Sequence, residues 1–161
     1  LRIAWAWRSA NARFEEEPTM LRIKHILANK PNKIWSIGPD EPVLEAIRLM
    51  SEKSIGALPV VSDGQLVGIV SERDYARKVI LMGRSSSDTP ISQIMTTPVI
   101  TITPDDTVHR CMELVTEKRV RHLPVMERNR LVGMVSIGDL VKAVIEDQQQ
   151  TIVELERYIV G

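Results

Sequence analysis

The chain has 161 residues, of which 43% are hydrophobic, and its 21 Lys plus Arg balance 21 Asp plus Glu to a formal net charge of zero. That balance excludes an overall field drawing the protein to nucleic acid or to an anionic membrane, so any anion site must be local. The lone cysteine, Cys111, excludes an internal disulfide and points to a reducing, cytoplasmic setting, and no apolar run approaches the ~18 residues that would span a bilayer.

Residues 1–19 stand apart from the rest of the chain. Leu1 to Phe14 carries Arg2, Arg8 and Arg13 without an acidic residue, superficially like a transit sequence, and is read as an N-terminal extension or an added remnant ahead of Met20. From Met20 a short apolar piece leads to a first strand around Lys33–Ile37. Pro39-Asp40-Glu41-Pro42 opens a helix with Asp40 as the expected N-cap. Val43, Ile47 and Met50 lie at i, i+4 and i+7 and predict one buried face. The branched run Leu58–Val61, the turn Asp63-Gly64 and the strand Leu66–Val70 predict a hairpin. A helix follows from Ser71 to a stop at Gly83, and residues 84–97 read as a linker in which Pro90 starts a short turn.

The series then repeats. Leu66-Val67-Gly68-Ile69-Val70-Ser71-Glu72-Arg73-Asp74 returns 65 residues later as Leu131-Val132-Gly133-Met134-Val135-Ser136-Ile137-Gly138-Asp139, and Leu58-Pro59-Val60 returns as Leu123-Pro124-Val125 at the same spacing. Val108, Met112 and Val115 match the first helix face, Cys111 falls opposite Ala46 as a small packed residue, and Arg128-Asn129 takes the place of the Asp63-Gly64 turn. The expected architecture is α+β, with repeats at 20–83 and 98–161. Each runs strand, helix, two strands, helix, and the two share a single core because about sixty residues close a core poorly alone. The last helix runs on toward Ile159 and carries Val141, Ile145, Gln148, Ile152, Leu155 and Ile159 at heptad spacing, which predicts a homodimer seam.

Ser-x-x-Asp at a strand-to-helix junction is a capping box. The same geometry suits an anion at the helix N-terminus and a ribose on the carboxylate. Gly68 and Gly133, three residues before the serines, read as places where a flat ring approaches the backbone. Arg119-Val120-Arg121-His122, where the first repeat has Ser54-Ile55-Gly56-Ala57, reads either as a solvated strand end or as a phosphate site, and Arg73, Arg77 and Lys78 flank Asp74, the last two also placed to complement the helix C-terminal dipole. His25, His109 and His122 form no metal-ligand pair, and no nucleophile elbow, Walker loop or dinucleotide glycine motif occurs. The chain is therefore read as a binding module rather than an enzyme.

The duplicated Leu-Pro-Val strand, the Leu-Val-Gly-x-Val-Ser-x-x-Asp phrase and the Pro-Asp before each first helix resemble a tandem pair of cystathionine-β-synthase (CBS) domains, the Bateman module, over about Ile34 to Ile145, and Glu72-Arg73-Asp74-Tyr75-Ala76-Arg77-Lys78 with the tail through Tyr158-Ile159 resembles small stand-alone bacterial members. The resemblance implies two tandem β-α-β-β-α repeats related by pseudo-two-fold symmetry, with two clefts for adenine nucleotides such as AMP, ATP or NAD(H), no catalytic cofactor and no metal. Carried over, Ser71, Arg73 and Asp74 share one cleft with Val99, Ile100, Thr101, Arg121 and His122. Ser136 and Asp139 share the other with Ile34, Trp35, Ser36, Gly56 and Ala57. On this reading the first cleft is cationic and the second is not, so the second takes a different ligand or none. Family modules usually regulate an attached enzyme or channel, so the output is expected to pass through an unidentified protein partner.

Overall fold

The structure, a computed structural model, describes residues 20–31 and 33–161. The expectations for residues 1–19, Trp5 and Trp7 included, lie outside the described residues. The elements are α1 (Ile23–Ala28), α2 (Val43–Lys53), β1 (Ala57–Ser62), β2 (Gln65–Ser71), α3 (Glu72–Tyr75), α4 (Val108–Lys118), β3 (His122–Glu127), β4 (Arg130–Ser136) and α5 (Ile137–Val160). A π-helical stretch, Ala76–Ile80, prolongs α3, and a 3₁₀ turn, Ile91–Gln93, lies between the repeats. The architecture is α+β.

Both hairpins are antiparallel and both turn residues take left-handed φ, Asp63 at 50° and Gly64 at 75° in one, Arg128 at 50° and Asn129 at 60° in the other. This is the turn whose twist matches paired strands. Arg128 thus adopts a conformation that its side chain disfavours, because the hairpin closure requires it. The ladders share even their irregularity, a register shift after Val60 and after Val125. The expected first strands are each reduced to one parallel bridge, Ile37 to Val60 and Ile102 to Val125.

Among the described residues the buried side chains form two clusters rather than the single shared core expected. One buried cluster contains Val43, Ala46, Met50, Leu58, Val60 and Val70, and the other contains Val108, Cys111, Val115, Leu123, Val125 and Val135. Each is completed from the other side of the sequence boundary. Ile23 and Ile26 of α1 fill the second cluster, while Ile91 and Ile94, from the expected linker, fill the first.

Backbone bonds fix this exchange in matching pairs. Ile23 N–H donates to Asp106 O as Ile91 N–H does to Glu41 O, and Lys24 N–H donates to Pro104 O as Ser92 N–H does to Pro39 O. The packing thus joins segments that lie on opposite sides of the expected boundaries. The exchange also explains why Asp40 is not a cap. Pro42 occupies the N-cap of α2, and the leading amides of Val43 and Leu44 are met by Thr89 O and Ser86 O of the incoming segment. In the second repeat Thr107 caps α4 and Val108 N–H donates to Leu21 O.

Burial, with the negative charge of Asp106, pushes the Cys111 thiol up to about 11, against a lesser lowering by Arg110. A thiol so held is a packed apolar group. Among the described residues no helix is long and apolar enough to cross a membrane. Beyond Asp147, α5 lies fully on the surface with Ile152, Leu155 and Ile159 exposed, and upstream Val141 and Ile145 share that exposure.

Candidate functional site

Each helix that follows a hairpin begins with a capping box. Ser71 Oγ accepts from Asp74 N–H at 3.2 Å and Asp74 Oδ2 accepts from Ser71 N–H at 2.9 Å; in the second repeat the distances are 3.1 and 2.8 Å. The structural meaning of the motif, a capping box, is thus formed in both repeats. The box anchors one carboxylate oxygen and aims the side chain at a cleft between the repeats.

The Asp74 cleft encloses about 390 Å³ and is lined by Ser71, Arg73, Asp74, Arg77, Lys78, Thr96, Arg119, Arg121 and His122, among others. Gly56 and Ala57 lie in its wall as well as in the wall of the other cleft. Val99, Ile100 and Thr101 do not line it. The chain entering the second repeat pairs Thr96 with Ile69 at the edge of β2, so Thr96 meets the carboxylate and Ile100 turns onto the second core. Thr96 Oγ1 donates to Asp74 Oδ1 at 3.1 Å, and Lys78 Nζ lies 3.0 Å from the same oxygen. Arg73 reaches across the repeats to Arg119 O at 3.1 Å.

The Asp139 cleft encloses about 690 Å³ and gathers Ser136 and Asp139 with Ile34, Trp35, Gly56 and Ala57, but not Ser36. It is cationic, contrary to the sequence expectation. Lys30, Lys33 and Lys53 line it, and His122 is common to both clefts. The pre-strand loop alone suggested a neutral cleft, whereas the cations come from the segment after α1 and from the end of α2.

The two clefts also differ at the strand edge. In the first cleft Thr96 supplies two groups, its amide to Ile69 O at 2.8 Å and its hydroxyl to Asp74. In the second, the Lys30 ammonium makes both matching contacts, to Met134 O at 2.8 Å and to Asp139 Oδ2 at 2.7 Å. A side chain thus makes in the second cleft the contacts that a backbone segment and its hydroxyl make in the first.

Gly68 does not line the Asp74 cleft, whereas Gly133 lies in the wall of the Asp139 cleft, and both glycines stand against an exchanged segment. A Cβ on Gly68 would lie 2.5 Å from Met95 Sδ, and one on Gly133 would lie 2.5 Å from Leu27 Cδ2. The glycines accommodate the exchanged segments.

Burial pushes the Asp139 carboxyl up, but the hydrogen bond from Lys30, the Ser136 amide and the Lys30 charge outweigh it and hold the group below its usual range. A carboxyl depressed in this way stabilises the fold above its unfolded value of about 3.9 and loses that contribution as pH falls through the folded value. Asp139→Asn should therefore lower the melting temperature at pH 7 and converge with the parent protein in acid, below the usual carboxylate range. An equal gap at both pH values would show that the Lys30 pair is not formed in solution. Burial pushes His122 down, outweighing the raising effect of Asp139 and Glu72, with Lys30 and Arg121 adding to the lowering. The imidazole is therefore neutral at pH 7.

Comparison with known proteins shows the family. The CBS domain family profile matches residues 23–80 and 91–146. The chain belongs to the CBS-domain family. A CBS-domain protein from Burkholderia ambifaria MC40-6 superposes with a TM-score of 0.76 at 48% identity, covering 79% of this chain and 96% of that one. The mitochondrial CBS domain-containing protein CBSX3 of Arabidopsis thaliana is 44% identical over 127 residues, 76% of this chain but 62% of its own length. The CBS domain pair of protein MJ0100, solved in complex with methylthioadenosine and S-adenosylmethionine, superposes with a TM-score of 0.66 at 28% identity, covering 76% of this chain and 94% of that one. Each match of the family profile begins on an exchanged element, Ile23 opening the first and Ile91 the second.

Proposed function

We propose that this CBS-domain pair is a regulatory sensor for adenine nucleotides, cytoplasmic and without catalysis of its own, that takes AMP, ATP or NAD(H) in its two clefts. The observation that carries the reading is the duplicated geometry: a cap-anchored carboxylate faces cationic groups across each cleft. A carboxylate held this way suits the paired hydroxyls of a ribose, and the opposing cations suit phosphate. In the Asp74 cleft Arg121 and the neutral His122 are the proposed phosphate partners, and an arriving anion would favour protonation of the imidazole. The adenosine ligands of the MJ0100 pair support the choice of nucleoside.

The test is mass spectrometry of small molecules released from purified, denatured protein. An adenine nucleotide is the expected finding. Absence of bound nucleotide, together with no thermal shift by AMP, ATP or NAD(H), would favour a second reading, an interaction scaffold with vestigial clefts. The observation favouring that reading is that Leu27, Met95 and Lys30 already occupy ground next to the glycines and Asp139.

The sensor is proposed to act as a homodimer through α5 and to pass its state to a protein partner. Val141, Ile145, Ile152, Leu155 and Ile159 are exposed along the heptad stripe, with only Leu140 of this helix fully buried. Truncation after Gln148 should weaken association by tenfold or more in sedimentation, since it removes three apolar seam positions worth about 1.5–3 kcal/mol each when fully buried. An unchanged assembly would place the contact elsewhere.

A further inference from the structure

Lys33 Nζ lies 4.1 Å and Lys53 Nζ 4.3 Å from the centroid of the Trp35 ring. One aromatic ring thus gathers two ammonium groups from separate parts of the first repeat, one before its bridge strand and one at the last residue of α2. Among the described residues neither ammonium is ion-paired, whereas Lys30, in the same cleft, is committed to Asp139. Like charges held on a common ring repel, and cation–π attraction offsets this only in part at exposed positions. A bound anion of charge −2 or more would remove the repulsion and use both donors.

We propose that Lys33 and Lys53, converging on Trp35, form an anion subsite for a di- or polyphosphate group, so that the Asp139 cleft receives a nucleotide with more than one phosphate. The proposal rests on the nucleotide reading above and assigns the ligand's charged end. Three features favour the longer chain. The cleft encloses about 690 Å³ against about 390 Å³ for its counterpart. Its two free ammoniums lie on a ring wall rather than at the capped helix start, so the phosphate end and the ribose end are held by different elements. Lysines also bind phosphate as flexible point charges, and two of them can follow a chain of phosphates rather than grip one in a fork.

Trp35 supplies the readout. In a background where Trp5 and Trp7 are replaced by Phe, inorganic pyrophosphate should change Trp35 emission saturably. Lys33→Gln with Lys53→Gln should weaken that response roughly tenfold or more, and 0.5 M salt should weaken it as well. Arg121→Ala should leave it intact. ADP should lose affinity for the double glutamine variant while adenosine does not.

Several results overturn the proposal: no emission change with pyrophosphate, an equal change in the double variant, or a change lost only in Arg121→Ala. If adenosine and ADP bind the parent and the double variant alike, the nucleotide reading stands and the anion subsite falls. If pyrophosphate shifts Trp35 in a lysine-dependent way but no nucleotide or nucleoside binds, the subsite stands and the nucleotide reading falls.

Discussion

Ile23→Ala is expected to destabilise the protein by about 2–5 kcal/mol, the range for truncating a fully buried aliphatic side chain. The loss should fall on the repeat farther away in sequence. Ile23 is 0% exposed and packs among Ile102, Val108, Leu123, Val125 and Leu140. Amide exchange should therefore accelerate in β3 and β4 first, with β1 and β2 following only at the level of global unfolding. Ile91→Ala makes the reciprocal prediction for β1 and β2, because Ile91 is equally buried in the first cluster. Faster exchange confined to the strands nearer in sequence would mean that the segments are not exchanged in solution.

Asp74→Ala should lower AMP affinity at its cleft by about 1.5–3 kcal/mol, the range for hydrogen bonds to a charged group, or roughly 10- to 150-fold. For the carboxylate to receive a ribose, Oδ1 must exchange Thr96 and Lys78 for the sugar hydroxyls, while Oδ2 stays with Ser71. Removal of Asp74 also breaks the capping box. The comparison that isolates the ribose is calorimetry of AMP against its 2′,3′-dideoxy analogue on the unaltered protein. Equal affinity for the two would take Asp74 away from the ribose, whatever the alanine variant does.

The parts of this fold legible in the sequence are those set by local periodicity. Val43, Ala46 and Met50 are buried and Ile47 is half-buried, and Val108, Cys111, Val115 and Met112 reproduce that pattern one repeat later. Hairpins, capping boxes and the long final helix are likewise local, and the CBS resemblance followed from them. The exchange of segments was hidden because it obeys a different spacing. Comparison at 65 residues pairs Leu27 with Ser92, whereas the packing equivalence is Ile23-x-x-Ile26-Leu27 with Ile91-x-x-Ile94-Met95, 68 residues apart. A search for Ile-x-x-Ile followed by Leu or Met would have found it. The site was legible where the motif itself carries it, at Ser71, Asp74, Ser136 and Asp139. It was not legible where tertiary packing decides, at Thr96 and Lys30, or at Val99, Thr101 and Ser36, which line neither cleft.

The crossed segments bear on how such a chain could arise by duplication. A lone unit of this design carries its own leading Ile-x-x-Ile piece and a groove that a neighbour's piece fills, so two copies trading these pieces close as an isologous pair. Joining the copies end to end turns that pair into one chain with the trade preserved, and the joint needs only to reach from Gly83 to Thr89. A fragment spanning residues 85–148, which retains one leading piece and one groove, should accordingly sediment as a dimer. A stable monomer would mean that the piece folds back onto its own groove.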